Sequence, residues 1–214
     1  MSNHAYESAA QLRPRRGTPT ALGELAAHAA LRPASEADGG GAPDDLAVIG
    51  VSVDSSDVAP GELFTALPGF TRHGAEFAPE AVAAGAVAVM TDEAGARMVR
   101  ASCPRTPVLV ADDPRAVVGP LSAEVYGHPC TRLTTAAVTG TNGKTTTSYF
   151  VDAILAAHLG GCMVAGTVEL RVGGMSVESP RTTVEAPVLQ RMMALAVEEG
   201  VGAASLEASS HAIV

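Results

Sequence analysis

The chain has no tryptophan, three tyrosines and four phenylalanines, so aromatic residues make up only 3% of its 214 positions. Base stacking on aromatic platforms is therefore disfavoured as a binding mode. Basic residues are scarce too. Lys and Arg number 14 against 23 Asp and Glu, a formal net charge of −9. General nucleic-acid binding needs the opposite balance. An anionic small molecule stays open as a ligand, because a local pocket can be positive on an acidic protein. The three cysteines, Cys103, Cys130 and Cys162, are odd in number, widely spaced and without a CxxC pair. That speaks against a disulfide framework or a structural zinc site and for buried or part-buried thiols in a reducing cytosol. No apolar run approaches the ~18 residues of a membrane span. No apolar stretch follows Arg13, Arg15 and Arg16, so a secretory signal is disfavoured and a cytoplasmic location is the expectation. Residues 1–16 read as a flexible tail.

What the chain does have is 47% hydrophobic residues and enough length for one large or two modest domains. With so few aromatics, the core must come from Ala, Val, Leu and Met. Pro19 and Thr20 open a helix to about Leu31, with Leu22, Leu25, Ala26 and Ala29 on one face. ASEADGGGAPDD (34–45) is a polar, glycine-rich loop. LAVIGVSV (46–53), ELFTAL (62–67) and VLVAD (108–112) read as strands, 76–92 as helix, glycine turn and strand, and 114–126 as a helix. Alternating strands and helices indicate an α/β domain over 17–130, ending in the linker YGHPCTR (126–132).

A second α/β unit is expected over 131–214. LTTAAVTG (133–140) is an apolar strand. Thr145 to Leu159 reads as a helix with Phe150, Ala153, Ile154 and Ala157 on one face and Gly160 as its stop. GCMVAGTVEL (161–170) reads as a returning strand. Residues 186–199 form a helix with Leu189, Met192, Met193 and Ala196 inward, and GAASLEAS (202–209) is a further strand. The fold class is α/β: a small N-terminal domain, then an incomplete P-loop-type parallel sheet flanked by helices. The sheet edge beyond its last strand is expected to be unpaired.

Between the strand and the helix lies TGTNGKTTT (139–147). Gly140 and Gly143 let the backbone curl so that several N–H groups point inward, beside the positive end of a helix. Lys144 adds a charge that can reach β- and γ-phosphates, and Thr145 offers a hydroxyl to Mg²⁺. The ligand implied is a nucleotide triphosphate. The loop is shorter than the full GxxxxGK[ST] pattern, with Val138 where that pattern has glycine. Glu207 stands at the C-terminal end of a predicted strand, the edge at which doubly wound sheets collect ligands. From there it could reach a metal near Thr145.

These residues resemble the ATP-dependent Mur ligases of peptidoglycan synthesis. TGTNGKTTT resembles that family's phosphate loop, ESPRTTVEAPVLQ (178–190) its TTPEA segment, and LEASSHAIV (206–214) its E-x-SSHAL motif. VDSSDVAPGELFTALPGFTRHGAEFAPEAVAAGAVAV (53–89) resembles its N-terminal pattern. SSHA together with this N-terminal stretch is most similar to the MurE type. That type adds a diamino acid, meso-diaminopimelate or lysine, to UDP-N-acetylmuramoyl-L-alanyl-D-glutamate.

The resemblance implies that Gly140, Thr141, Asn142, Gly143, Lys144, Thr145 and Thr146 hold ATP, with Thr145 and Glu207 on Mg²⁺ and Lys144 and Glu207 as the catalytic pair. Ser55, Thr182, Thr183 and Ser209 would contact the UDP-sugar substrate. It implies carboxylate attack on the γ-phosphate, an acyl phosphate, then attack by the amine, with positioning and charge stabilisation dominating. Ser56 stands in place of the family's arginine, Val184 in place of a proline, Arg181 where a neutral residue is usual, and Ala208 in place of a valine. His73 and His211 read as packing and hydrogen-bonding residues.

A ligase of this type would run to more than twice this length. The part that would follow carries a C-terminal domain, in cis, that selects the amino acid. Three readings are open: part of such a ligase, inactive alone; a short nucleotide- or UDP-sugar-binding module; or another P-loop enzyme. The residues that would choose the diamino acid are not in the sequence.

Overall fold

The computed structural model describes residues 11–34, 44–179 and 182–209, and the chain falls into two compact units. Gly17–Gly127 is one. The described part of the other joins residues 11–16 to 128–209.

The first unit runs β1 (Thr20–Ala21), α1 (Leu22–His28), β2 (Arg32–Pro33), β3 (Ala47–Val48), β4 (Gly50–Ser52), β5 (Glu62–Thr65), α2 (Ala78–Ala84), β6 (Ala88–Thr91), α3 (Glu93–Ser102), β7 (Val108–Val110) and α4 (Pro114–Val125). Its sheet has the order β2-β7-β6-β5-β4, with β4 to β7 parallel and β2 antiparallel at the edge. Strands buried on both faces read as short continuous apolar runs, and this is what AVMT and VLV are. Successive side chains feed opposite faces. Leu63, Met90 and Leu109 join Leu22, Leu25, Leu121 and Val125 from α1 and α4. Phe64, Val89 and Val110 join Ala81 and Val99 from α2 and α3.

The α3 helix is absent from the sequence reading. Gly95 lowers helix propensity there, yet Asp92 caps the helix by accepting from the Gly95 N–H at 2.7 Å. A Cβ at Gly95 would overlap the Thr91 hydroxyl. His73 does what a packing histidine does. Its Nδ1 accepts from the Ala75 N–H at 3.0 Å, so Nε2 carries the proton towards Asp92 Oδ1, also at 3.0 Å.

The second unit runs β8 (Thr134–Val138), α5 (Lys144–Leu159), β9 (Cys162–Ala165), β10 (Glu169–Val172), β11 (Met175–Glu178), α6 (Ala186–Glu198) and β12 (Ala203–Glu207). The sheet order is β11-β10-β9-β12-β8. β9, β12 and β8 are parallel, while β10 and β11 form an antiparallel hairpin beside β9. Met192, Met193 and Ala196 of α6 pack with Met163, Leu170 and Ala204 in its core.

The structure departs from these expectations at several points. The stretch 161–170 is not one strand, because the chain turns at 166–168 and returns as β10. The last strand, β12, is not at an edge; the edge strands are β8 and β11. The face of α5 carrying Phe150 and Ile154 points outward, leaving them 66% and 68% exposed, because the buried positions of α5 are Ser148 and Asp152. Within residues 11–16, Leu12 is fully buried in the core of this unit, and the Arg15 and Arg16 amides donate to Glu198 Oε2 at 2.8 and 3.2 Å. Among the described residues no helix is long and apolar enough to cross a membrane. Cys162 is buried, Cys103 half-buried and Cys130 exposed, so the last departs from the expected burial.

Candidate functional site

Because β8, β9 and β12 are parallel, their C-terminal ends open on one edge of the sheet. From β8 the chain enters the exposed loop 139–143 and then α5. Gly140 (φ 138°) and Gly143 (φ 76°) hold backbone conformations that side chains resist, and a Cβ on Gly143 would meet nothing within 4 Å. The glycines therefore serve the curl of the backbone rather than a lack of room. Thr141 and Asn142 lie exposed between them, and Thr146 is exposed on the first turn of α5. The Lys144 ammonium folds back and donates to the Gly140 carbonyl at 2.8 Å. Lys144 is the only lysine of the chain.

Thr145 is the second residue of α5, and its hydroxyl donates to Glu207 Oε2 at 3.0 Å. Glu207, the last residue of β12, is only 3% exposed. A buried carboxylate must find donors, and three further ones converge on it. Ser148 Oγ, which shares its one proton with the Thr145 carbonyl at 2.9 Å, reaches Oε1 at 3.4 Å, the Thr167 amide reaches Oε1 at 3.2 Å, and the Thr167 hydroxyl reaches Oε2 at 3.1 Å. Ser148 and Thr167 escaped the sequence reading. The available signal was Gly166, since a glycine inside a strand pattern marks close approach of backbone. A Cβ there would overlap Glu207 Oε1.

At the same edge, the Ser209 amide donates to Thr183 Oγ1 at 2.9 Å, and the Thr183 hydroxyl lies 3.3 Å from Ser209 Oγ. Thr182 is half-buried beside them. Ser55 belongs to the other unit, where its hydroxyl donates to Glu80 Oε2 at 2.9 Å in a turn capped by Asp54. Ser56, in the arginine position, is spent locally on Asp54 Oδ1. Val184 packs against the core of its unit. Arg181 and His211 lie outside the described residues.

The arrangement fits a polyphosphate with a hard cation. An exposed glycine loop at the head of a 16-residue helix presents amides and the positive dipole end, with an ammonium beside them. A hydroxyl and a carboxylate supply the oxygen donors that Mg²⁺ prefers. By donating its proton to Glu207, Thr145 Oγ1 keeps its lone pairs free for a cation.

The Mur ligase middle domain matches residues 138–214, from the end of β8 onward. The Mur ligase family catalytic domain matches residues 47–126. The chain belongs to the Mur ligase family. Its relatives include the UDP-N-acetylmuramoyl-L-alanyl-D-glutamate--2,6-diaminopimelate ligase of Streptomyces coelicolor, 45% identical over 203 residues, which are 94% of this chain and 38% of the relative. The enzyme of the same name from Corynebacterium glutamicum is 41% identical over 79% of this chain and 33% of its own length. This Mur ligase chain thus spans between a third and two fifths of the length of these relatives. A solved structure of a UDP-N-acetylmuramoyl-L-alanyl-D-glutamate--2,6-diaminopimelate ligase superposes with a TM-score of 0.64 at 28% identity, covering 91% of this chain and 37% of that one. MurF from Acinetobacter baumannii, at 18% identity and a TM-score of 0.59, shares the fold.

Proposed function

We propose that this chain carries the sugar-nucleotide-binding and part of the ATP-binding apparatus of a ligase that adds a diamino acid to UDP-N-acetylmuramoyl-L-alanyl-D-glutamate. Residues 17–130 form the UDP-sugar domain and 131–214 the partial nucleotide domain. The observation that carries the reading is the 3.0 Å bond from Thr145 to the buried Glu207, at the mouth of the glycine loop. In this reading loop 140–146 cradles the phosphates and Lys144 turns from the Gly140 carbonyl to the β/γ oxygens. Thr145 and Glu207 hold Mg²⁺, which supplies charge neutralisation when bound. Ser55, Thr182, Thr183 and Ser209 hold the sugar nucleotide. The diamino-acid class is supported by the names of the relatives, which specify 2,6-diaminopimelate.

The test is calorimetry with Mg·ATP and with UDP-muramoyl-dipeptide, separately. Wild type binds both and shows no diaminopimelate-dependent phosphate release. Lys144→Ala loses Mg·ATP affinity at least tenfold and keeps the sugar nucleotide. Because Lys144 is the only lysine, amine-directed labelling reports its side chain at a single site, and Mg·ATP slows that labelling. Unchanged ATP binding in Lys144→Ala refutes the cradle.

A further inference from the structure

The four donors on Glu207 come from two sources. Thr145 and Ser148 belong to α5 and move with the phosphate loop. Both remaining donors belong to Thr167, in the turn between β9 and β10. Thr167 alone engages the two carboxylate oxygens separately, amide to Oε1 at 3.2 Å and hydroxyl to Oε2 at 3.1 Å. One bond permits rotation of the carboxylate plane; two bonds from one residue to different oxygens fix it. Gly166 allows the amide this close, since a Cβ would lie on Oε1 and 3.1 Å from Cδ. The turn is itself held, because the Gly166 N–H donates to the Glu169 carbonyl at 3.1 Å. The Glu169 side chain accepts from Tyr149 at 3.0 Å and from Ser176 at 2.5 Å.

We infer that Thr167 is a positioning residue for the cation site: it references the Glu207 carboxylate to the sheet, so that the carboxylate keeps its aim when Thr145 and the loop reorganise around a nucleotide. This deepens the proposed function and rests on it. Groups that orient a metal-binding carboxylate from behind typically change metal affinity by about 10–100-fold when removed. Thr167→Val keeps the amide and the shape but deletes the hydroxyl, so it frees rotation while leaving the anion cradle intact.

The experiment is calorimetry of the whole chain with ADP, in EDTA and across a Mg²⁺ titration. Thr167→Val weakens Mg·ADP binding about tenfold and raises the half-saturating Mg²⁺ accordingly, while metal-free ADP binds as in wild type. Thr167→Ser restores both, and Gly166→Ala reproduces the Mg²⁺ defect by displacing the carboxylate. A purely structural role predicts equal losses with and without Mg²⁺, and that result overturns the inference. So does Thr167→Val with wild-type Mg²⁺ dependence, which leaves the nucleotide site standing. A wild-type chain that binds no ADP in either buffer removes the inference and the proposed nucleotide site together. Thermal melts of each variant confirm the folded state, and Thr167→Ala, which also lacks the hydroxyl, carries the test if Thr167→Val does not fold.

Discussion

At the scale of single residues, burial decides which reactive groups can act. Cys162 lies in β9 at 3% exposure. Burial first, then the neighbouring charge of Asp152, pushes its thiol up to about 11. At pH 8 such a thiol is roughly one part in a thousand thiolate, and so nearly inert. Cys130 is exposed. Disulfide-exchange labelling at pH 8 should therefore modify Cys130 at once and Cys162 only on unfolding. The same shift makes stability depend on pH. An unfolded thiol titrates near about 8.5, so between there and about 11 the folded chain holds the extra proton and stability falls as pH rises. Below about 8.5 the contribution is complete. Urea midpoints taken from pH 8 to 11 should drop more steeply for wild type than for Cys162→Ala. Equal slopes would remove the thiol from the account.

At the scale of elements, α5 faces its sheet with polar groups, which is unusual for a helix between a glycine loop and a core. Ser148 is fully buried, and its carbonyl accepts from the buried Ser205 at 2.8 Å. Asp152 pairs with Arg171 at 2.5 Å, and Arg171 Nε reaches Glu169 at 3.3 Å. Burial raises Glu169, but donation from Ser176 and Tyr149 and the Arg171 charge outweigh it and hold the carboxyl below its usual range. Burial and donation to Glu169 push the Tyr149 phenol up. This seam pins α5 to β10. Removing the cation leaves a buried carboxylate unpaired, which is costlier than losing both partners. Arg171→Met should destabilise the second unit by about 2–3 kcal/mol in urea unfolding, after allowance for the partly exposed guanidinium. Arg171→Met/Asp152→Asn should recover about half of that. A double variant no better than the single would show that the pair is not the source.

The same seam explains what the sequence could disclose. The strand–loop–helix order around Lys144 was legible because glycines, a lysine and threonines are local signals. Thr183 and Ser209 were legible only through a motif. Ser148 and Thr167 were not, because their significance lies in converging on Glu207 across 59 and 40 residues. The outward face of Phe150 and Ile154 inverted the usual rule that the apolar stripe of a helix points inward. The α3 helix was hidden by a glycine whose reason is a neighbouring threonine, and the β10–β11 hairpin by a strand that continues in apolar character through its turn.

At the scale of the whole molecule, the two units have separate cores, with no buried residue shared among their apolar clusters. Their outer surfaces differ in one respect that bears on behaviour in solution. β8 is an edge strand with exposed Thr134, Thr135 and Ala137, and no strand among the described residues pairs with its free side. An unpaired, uncharged edge is a template for pairing with another chain, and large exposed apolar groups add to the tendency. Phe150 and Ile154 on α5 supply such groups. Light scattering at rising concentration should show self-association that Ala137→Lys reduces, because a lysine on an edge strand opposes edge-to-edge pairing. Phe150→Lys/Ile154→Lys should reduce it separately while shifting the urea midpoint little, since both side chains are already about two-thirds exposed. If Ala137→Lys changes nothing and the α5 pair abolishes association, the helix face is the contact and the open edge is inert. If neither does, the association arises elsewhere on the chain, and the sheet edge needs no partner.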